Sequence, residues 1–398
     1  MQSLRQPEKH ICLNALSAVM GGSITVVRNL AGRIAADKPE WHFTLYYAHP
    51  DAAPENPPPN LSLRYKGRLR GVVRRWAWEQ ACLPLELRRE RFDLMLCIGG
   101  YTCFATEVPQ VSVWQNPNTL TRLPIHRRWQ TEAYIALQRR LQALSMRKTR
   151  YNIFQTWDSV GMAESRWPME RYPHTAIQWG VDARRWAESE PPPLGDRDPF
   201  VLAVGHTYYH KNYEAMIDAI AAYRERFQSD LELRIVGEAF EESHYRSLID
   251  RAERLGVGSL VKFLGALPPG DVVKLYRSAS AYVVTSLLET FGLTTLEAMG
   301  NGLPVVAGRA TCMPEVCGDA ALYCDPNQPA DIAEKLHAAC HDRMLAEELR
   351  ERGLERVHEF GWDRTSQAFL HVLRGVEAAG AAPAAPARVE AIEYRAAA

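Results

Sequence analysis

The stretch TSLLETFGLTTLEAMGNGLPVVAG, Thr285–Gly308, decides the fold. Its opening reads as a strand that ends near Ser286. A loop with Glu289, Phe291 and Gly292 follows, then a helix that begins near Thr294 and carries Glu297, then PVVAG as the next strand. Strands that alternate with helices in this way belong to a parallel sheet in an α/β layer. Open α/β sheets bind ligands outside the carboxyl ends of their strands, so chemistry is expected in this loop. Gly292 lets backbone approach a ligand closely. The helix start exposes unpaired amides and a positive dipole end, which suits a diphosphate. Glu297 can accept hydrogen bonds from two vicinal hydroxyls, as on a ribose, and Glu289 can face a sugar ring. The plainer reading is a helix N-terminus furnished with acids that complement its dipole.

Working outward, the same alternation fills the chain. FVLAVG (200–205), ELRIVG, VKFLG, AYVVTS, PVVAG and ALYC read as strands, each followed by a helix or a turn. The first half has its own series: ICLNALSAV (11–19), HFTLYYAH (42–49), DLMLCI (93–98), QVSVWQ (110–115) and YNIFQT (151–156). Helices are predicted near Ile24–Ala36, Arg74–Glu90 and Arg128–Lys148. The polar, proline-rich AESEPPPLGDRDP (187–199) reads as a linker. This gives one doubly wound, Rossmann-like domain over 1–185, a linker over 186–199 and a second Rossmann-like domain over 200–360. A helix over 361–376 is placed to cross back to the first domain, and 377–398 reads as a low-complexity tail.

At 398 residues the chain is too long for one ordinary core. Hydrophobic residues at 46% and charged residues at 24% exclude disordered, collagen-like and coiled-coil classes. No apolar run is long enough to span a membrane. The opening MQSLRQPEKH lacks a signal-like apolar core, and eight scattered cysteines without a C-x-x-C pair read as reduced thiols, so a cytoplasmic protein is expected. The formal net charge is zero, yet Leu61–Arg150 holds 17 Lys plus Arg against 6 Asp plus Glu. That imbalance points to an anionic partner, or simply to solvated helix faces. Nothing points to nucleic acid.

The Glu289–Glu297 stretch resembles the donor-binding signature of retaining glycosyltransferases of family 4. TCMPEVCGDAALYCDP (311–326), VGHTYYHKN (204–212), IQWGVDARRW (177–186), AVMGGSITVVRNLAGRI (18–34), WEQACLP (78–84) and DLMLCIGG (93–100) resemble further family segments, in the same order. The resemblance implies an α/β GT-B architecture: two doubly wound parallel-sheet domains facing across a cleft. It implies a nucleoside-diphosphate-sugar donor bound by the second domain, and a glycan or lipid-diphosphate-linked acceptor, as in surface-polysaccharide synthesis. Carried over, Glu297 binds the donor ribose and Glu289 the transferred sugar. The amides of Phe291, Gly292 and Leu293 line sugar and diphosphate, and Lys211 neutralises the leaving group. Gly21 and Gly22 let the first domain's backbone approach phosphates or acceptor.

Two positions depart from the family pattern. His206 stands where an arginine is common, which shifts leaving-group stabilisation toward Lys211 or His210. Gln115 and Asn116 stand where many relatives carry a His-Asp pair, as in a subset resembling mannosyl- and rhamnosyltransferases; they hydrogen-bond but supply no base. Retention fits a missing base, because the departing phosphate oxygen can take the acceptor proton. No metal or other cofactor is expected: Asp196-Arg197-Asp198 is a D-x-D in the wrong context, and His337, Cys340 and His341 lack a fourth ligand. Base recognition is expected near Leu264–Ala266. The alternatives are a sugar-nucleotide epimerase of the same fold and a catalytically silent nucleotide-sugar-binding scaffold. Arg64, Lys66, Arg68, Arg70, Arg74 and Arg75, just before Trp76 and Trp78, suggest an anionic membrane surface as a further partner. The competing reading makes both tryptophans core residues.

Overall fold

A computed structural model describes residues 8–69, 71–99, 101–121, 129–182 and 191–378. These fall into two compact units: 8–121, 129–179 and 362–378 form the first, and 180–182 with 191–361 the second.

The first unit is built on a seven-stranded parallel sheet of order β3-β2-β1-β4-β5-β6-β7. Its strands are β1 (Lys9–Ala15), β2 (Trp41–Tyr47), β3 (Leu61–Tyr65), β4 (Leu94–Ile98), β5 (Gln110–Val113), β6 (Tyr151–Phe154) and β7 (His174–Ala176). Helices α1 (Gly22–Asp37), α2 (Val72–Ala81), α3 (Leu83–Arg89), α4 (Pro117–Leu120), α5 (Trp129–Lys148) and α6 (Trp157–Glu164) connect them. β1 is central and pairs with β2 on one side and β4 on the other, so the strand order reverses there. Along α1, Val26, Val27, Leu30, Ala31, Ile34 and Ala35 recur at helical spacing and are buried.

The second unit has six parallel strands in the order β10-β9-β8-β11-β12-β13. They are β8 (Asp198–Val204), β9 (Glu232–Val236), β10 (Val261–Gly265), β11 (Ala279–Val284), β12 (Val305–Gly308) and β13 (Leu322–Cys324). Its helices are α7 (Tyr213–Phe227), α8 (Glu242–Arg254), α9 (Pro269–Ser278), α10 (Leu293–Gly300), α11 (Met313–Cys317), α12 (Pro329–His341) and α13 (Arg343–Val357). β8 lies between β9 and β11, which again marks a reversal of strand order. Val201, Ala203, Leu233, Ile235, Ala281 and Val283 pack with α7 and α12 in one core.

Helix α14 (Trp362–Ala378) belongs to the first unit. Trp179 stacks on Phe369 at 5.6 Å, and Thr365 Oγ1 donates to the Gln178 carbonyl at 2.9 Å. Ser366 and Gln367 both reach the Asp37 carboxylate at the end of α1.

Several expectations are corrected. The chain passes into the second unit after Trp179, not at 185. Of the expected linker, 186–190 lie outside the described residues, and the rest is not a loose spacer. Arg197 is buried and donates to the carbonyls of Pro192, Tyr276, Ala279, Asn301 and Gly302. Within the D-x-D triplet it is therefore the arginine that carries structure. Burial first, then Arg350, lowers its pKa to about 10, which leaves it charged at neutral pH. The tail beyond Ala378 also lies outside the described residues.

The basic segment differs as well. Arg75 turns inward, its Nε 3.8 Å from Glu79, and both side chains are under one-tenth exposed. Lys66 pairs with Glu86 and sits over the Trp78 ring at 4.8 Å, and Trp78 packs on the core. Arg64, Arg68, Arg74 and Trp76 remain exposed, and Arg70 lies outside the described residues. His337 and His341 share the Tyr223 hydroxyl, while Phe227 stacks on His337 at 3.8 Å, so this cluster is packing around a phenol. Among the described residues, no group of three His, Cys, Asp or Glu is placed to hold a metal, and no helix is long and apolar enough to cross a membrane.

Candidate active site

The second unit brings its predicted residues together at the reversal between β8 and β11. The loop after β8 carries His206, His210 and Lys211; the loop after β11 carries Glu289, Phe291 and Gly292. The loops are tied together: the Leu287 amide donates to the His210 carbonyl at 2.7 Å, and Thr285 Oγ1 donates to the Asn212 carbonyl at 3.1 Å.

Lys211 Nζ donates to Glu289 Oε1, with side chains 18% and 14% exposed. Ser286 Oγ donates to the same oxygen at 3.1 Å, and the Glu289 amide donates to Thr311 Oγ1 at 3.3 Å. Burial raises the Glu289 pKa, but the charges of Lys211 and His210 and the bonds from Lys211 and Ser286 outweigh it. The carboxyl is held below its ordinary value. Such a group stabilises the fold above its unfolded pKa and loses that contribution as pH falls through the lowered folded value. Glu289 therefore stays ionised across the neutral range.

Gly292 has φ +88 and caps α10 in the left-handed region, which favours glycine; a Cβ there would lie 2.5 Å from Met313 Cε, the flexible end of that side chain, which would have to move. Phe291 is buried edge-on against Phe360, which leaves its backbone as the part that can serve a ligand. Leu293 opens α10. Glu297 is half-buried on that helix, and the Tyr276 hydroxyl donates to its Oε2 at 3.0 Å. Burial and then Glu297 push the Tyr276 phenol well above its ordinary pKa, so it remains a donor.

His206 Nδ1 accepts from the Glu238 amide at 3.1 Å, and burial lowers its pKa. It is thus a neutral ring whose Nε2 carries the proton: a donor, not a substitute for the arginine's charge. His210, expected as an alternative to Lys211 at the leaving group, is 8% exposed and stacks on Tyr208.

Gly22, expected at the donor, and the acceptor-side candidates Gly21, Gln115 and Asn116 belong to the first unit. Gly21, at φ +57, precedes α1, and Gly22 is its first residue. Gln115 and Asn116 follow β5, and Asn116 Oδ1 accepts the Asn118 amide at 3.1 Å as the cap of α4. Ser286, Thr311 and Tyr276 went unnoticed in sequence. Thr311, at φ +48, is a β-branched residue in the left-handed region. Such strain persists where surrounding structure fixes it, often at functional sites.

Residues 184–356 match the family model described as Glycosyl transferases group 1. That match is confined to the second half of the chain, which is similar to group 1 glycosyl transferases there. O-antigen chain mannosyltransferase B of Escherichia coli is 32% identical over 176 residues, which cover 44% of this chain and 45% of that protein. The chain thus spans less than half the length of this curated relative. A sucrose-phosphate synthase of Thermosynechococcus elongatus superposes over 93% of this chain and 100% of its own, with TM-score 0.71 and 18% identity. Anabaena HepE, solved in complex with UDP and glucose, superposes over 92% of this chain and 100% of its own, with TM-score 0.68 and 18% identity. With two parallel-sheet α/β units, the chain has the GT-B fold.

Glu297→Ala is expected to weaken nucleoside-diphosphate affinity by roughly 1.5–3 kcal/mol, the loss of charge-assisted bonds to two hydroxyls. Calorimetry on the folded variant checks this, and an unchanged affinity overturns the expected ribose role of Glu297.

Proposed function

We propose that the protein is a retaining glycosyltransferase that moves a hexose from a nucleoside-diphosphate sugar to a glycan or lipid-linked acceptor in surface-polysaccharide synthesis, at the cytoplasmic side of the membrane. The carrying observation is the Lys211–Glu289 pair at the β8/β11 reversal, with Glu297 on the helix that follows the Glu289 loop, where it accepts from Tyr276. An ionised carboxylate beside an ammonium matches the charges that develop in transfer. As the bond from the anomeric carbon to the phosphate oxygen breaks, its electron pair stays on the diphosphate, where Lys211 neutralises it. Glu289 stabilises the positive charge left on the sugar. The acceptor hydroxyl attacks from the same face, and its proton passes to the departing phosphate oxygen. This route needs positioning and charge stabilisation, with no side-chain base. Gln115 and Asn116 are compatible with it. No metal is assigned, because the leaving-group charge falls to Lys211.

A panel of GDP-, UDP- and dTDP-sugars in a thermal-shift assay tests the reading. A donor at 100 times its dissociation constant adds about 2.7 kcal/mol. The expected result is stabilisation by one nucleotide class, with slow release of its nucleoside diphosphate. No stabilisation and no release with any donor contradict it.

A peripheral membrane contact is part of this proposal, narrowed to the exposed face of α2. Val73 is 80% and Val72 42% exposed, beside Trp76 and the exposed Arg74. Apolar side chains with neighbouring arginines suit an anionic headgroup zone, at about 1 kcal/mol or less per basic residue. Salt-sensitive co-sedimentation with phosphatidylglycerol vesicles is expected, reduced when Arg74, Val73 and Trp76 become Ser. Binding that is absent at low salt, or indifferent to these changes, overturns it.

A further inference from the structure

We propose that Phe240 and Tyr208 form a stacking platform for the nucleobase of the donor, an assignment that rests on the donor reading above. Phe240 lies in the loop after β9 and is 52% exposed. A single exposed phenylalanine is ordinary; this one has a built setting. Its ring centroid is 4.3 Å from that of Tyr208, in the loop after β8, with the planes tilted by 46°, so a base would lie flat on Phe240 and meet Tyr208 at an angle. Tyr208 in turn stacks on His210 at 5.2 Å and 15°, and His206 meets it edge-on at 5.9 Å.

The two loops are stitched together. The Thr207 amide donates to the Glu238 carbonyl at 3.0 Å, the Glu238 amide to His206 Nδ1 at 3.1 Å, and the Phe240 amide to Thr207 Oγ1 at 3.2 Å. The rings are therefore held in place before a ligand arrives, which lowers the ordering cost of binding. They also have a fixed relation to the charged pair. Lys211 and Glu289 bridge the β8 and β11 loops; the rings bridge the β8 and β9 loops, one strand spacing of about 4.8 Å farther along the sheet edge. On the far side, the Gly237 amide donates to the Gly265 carbonyl at 2.9 Å, which brings Leu264–Ala266, where sequence placed base recognition, alongside the Phe240 loop.

A flat π-face next to a diphosphate-binding ammonium is the chemistry of a nucleoside diphosphate. Stacking of a base on an aromatic ring tolerates any base, so the platform supplies affinity while nearby backbone supplies identity.

The experiment is calorimetry of UDP, GDP and dTDP with wild-type protein, then of the tightest of these with Phe240→Ala and Phe240→Trp. Thermal midpoints confirm folding, which an exposed position makes easy to keep. The expected result is about 10–100-fold weaker binding to Phe240→Ala, with Phe240→Trp within about threefold of wild type. Unchanged affinity in Phe240→Ala overturns the platform while the donor reading stands. An equal loss in both variants also overturns it, since a larger ring should still stack. Phe240→Ala that binds nucleotide normally yet transfers poorly to acceptor reassigns the rings to the acceptor sugar. Failure of wild type to bind any of the three nucleotides is a separate result, which removes the donor reading and the platform together.

Discussion

Glu289→Gln is expected to lower turnover by about 100-fold or more while nucleoside-diphosphate affinity stays within a few-fold of wild type. The amide keeps the shape of the side chain and can still accept from Ser286 Oγ, but the negative charge is gone. Loss of one positioned electrostatic stabiliser typically costs about 10²–10³ in turnover. The charge is available at neutral pH because Lys211, His210 and Ser286 hold the carboxyl below its ordinary pKa against the opposing effect of burial. Initial rates with the donor found by thermal shift, together with calorimetry of the product nucleotide, separate the two effects. Turnover that survives the substitution makes Glu289 a structural partner of Lys211 and removes it from the chemistry.

Arg197→Ala is expected to cost on the order of 3 kcal/mol or more of stability. Five carbonyls accept from one buried guanidinium, and hydrogen bonds to charged groups are worth about 1.5–3 kcal/mol each before neighbours relax. Two of the acceptors, Asn301 and Gly302, lie just past the C-terminal end of α10, where a cation also complements the helix dipole. For a unit of this size, 3 kcal/mol corresponds to a fall of about 6–12 °C in the melting midpoint. Because α10 begins just after the Glu289 loop, the proposed donor assignment adds that nucleotide affinity should fall as well. Calorimetric melting of the variant checks the first effect, and a shift under about 2 °C contradicts it.

Much of the second unit's candidate site could be read from sequence because its constraints are local. Gly292, the helix start and Glu297 lie within a few residues of one another, so their relation is set by backbone geometry. The partners that complete the site come from distant segments. Thr311 reaches Glu289 across 22 positions, Tyr276 reaches Glu297 across 21, and Lys211 reaches Glu289 across 78. Of these, only Lys211 could be named beforehand, through family resemblance. Thr311 and Tyr276 carry no local signature; a threonine with positive φ looks like any other threonine until its backbone is seen.

The strands that escaped notice fail for a different reason. Leu61–Tyr65 and His174–Ala176 are the two edges of their sheet, short and only partly buried, so the apolar run that announces a central strand is absent. The helical stretch expected at Arg74–Glu90 is two helices, with Pro84 in the first turn of the second, where a missing amide costs nothing. Arg75 and Arg197 show the limit of reading charge from composition. Arg74 and Arg75 are neighbours, yet one faces water and the other faces Glu79, because adjacent positions on a helix are about 100° apart.

The most direct test of retaining transfer is proton NMR of the first product formed from the α-linked donor, followed in real time before mutarotation, with water or a sugar as acceptor. The donor assignment requires release of the nucleoside diphosphate together with a product whose anomeric proton has the α-configuration, and loss of both signals in Glu289→Gln. A product that appears first as the β-anomer, or equal product formation by Glu289→Gln, would contradict it.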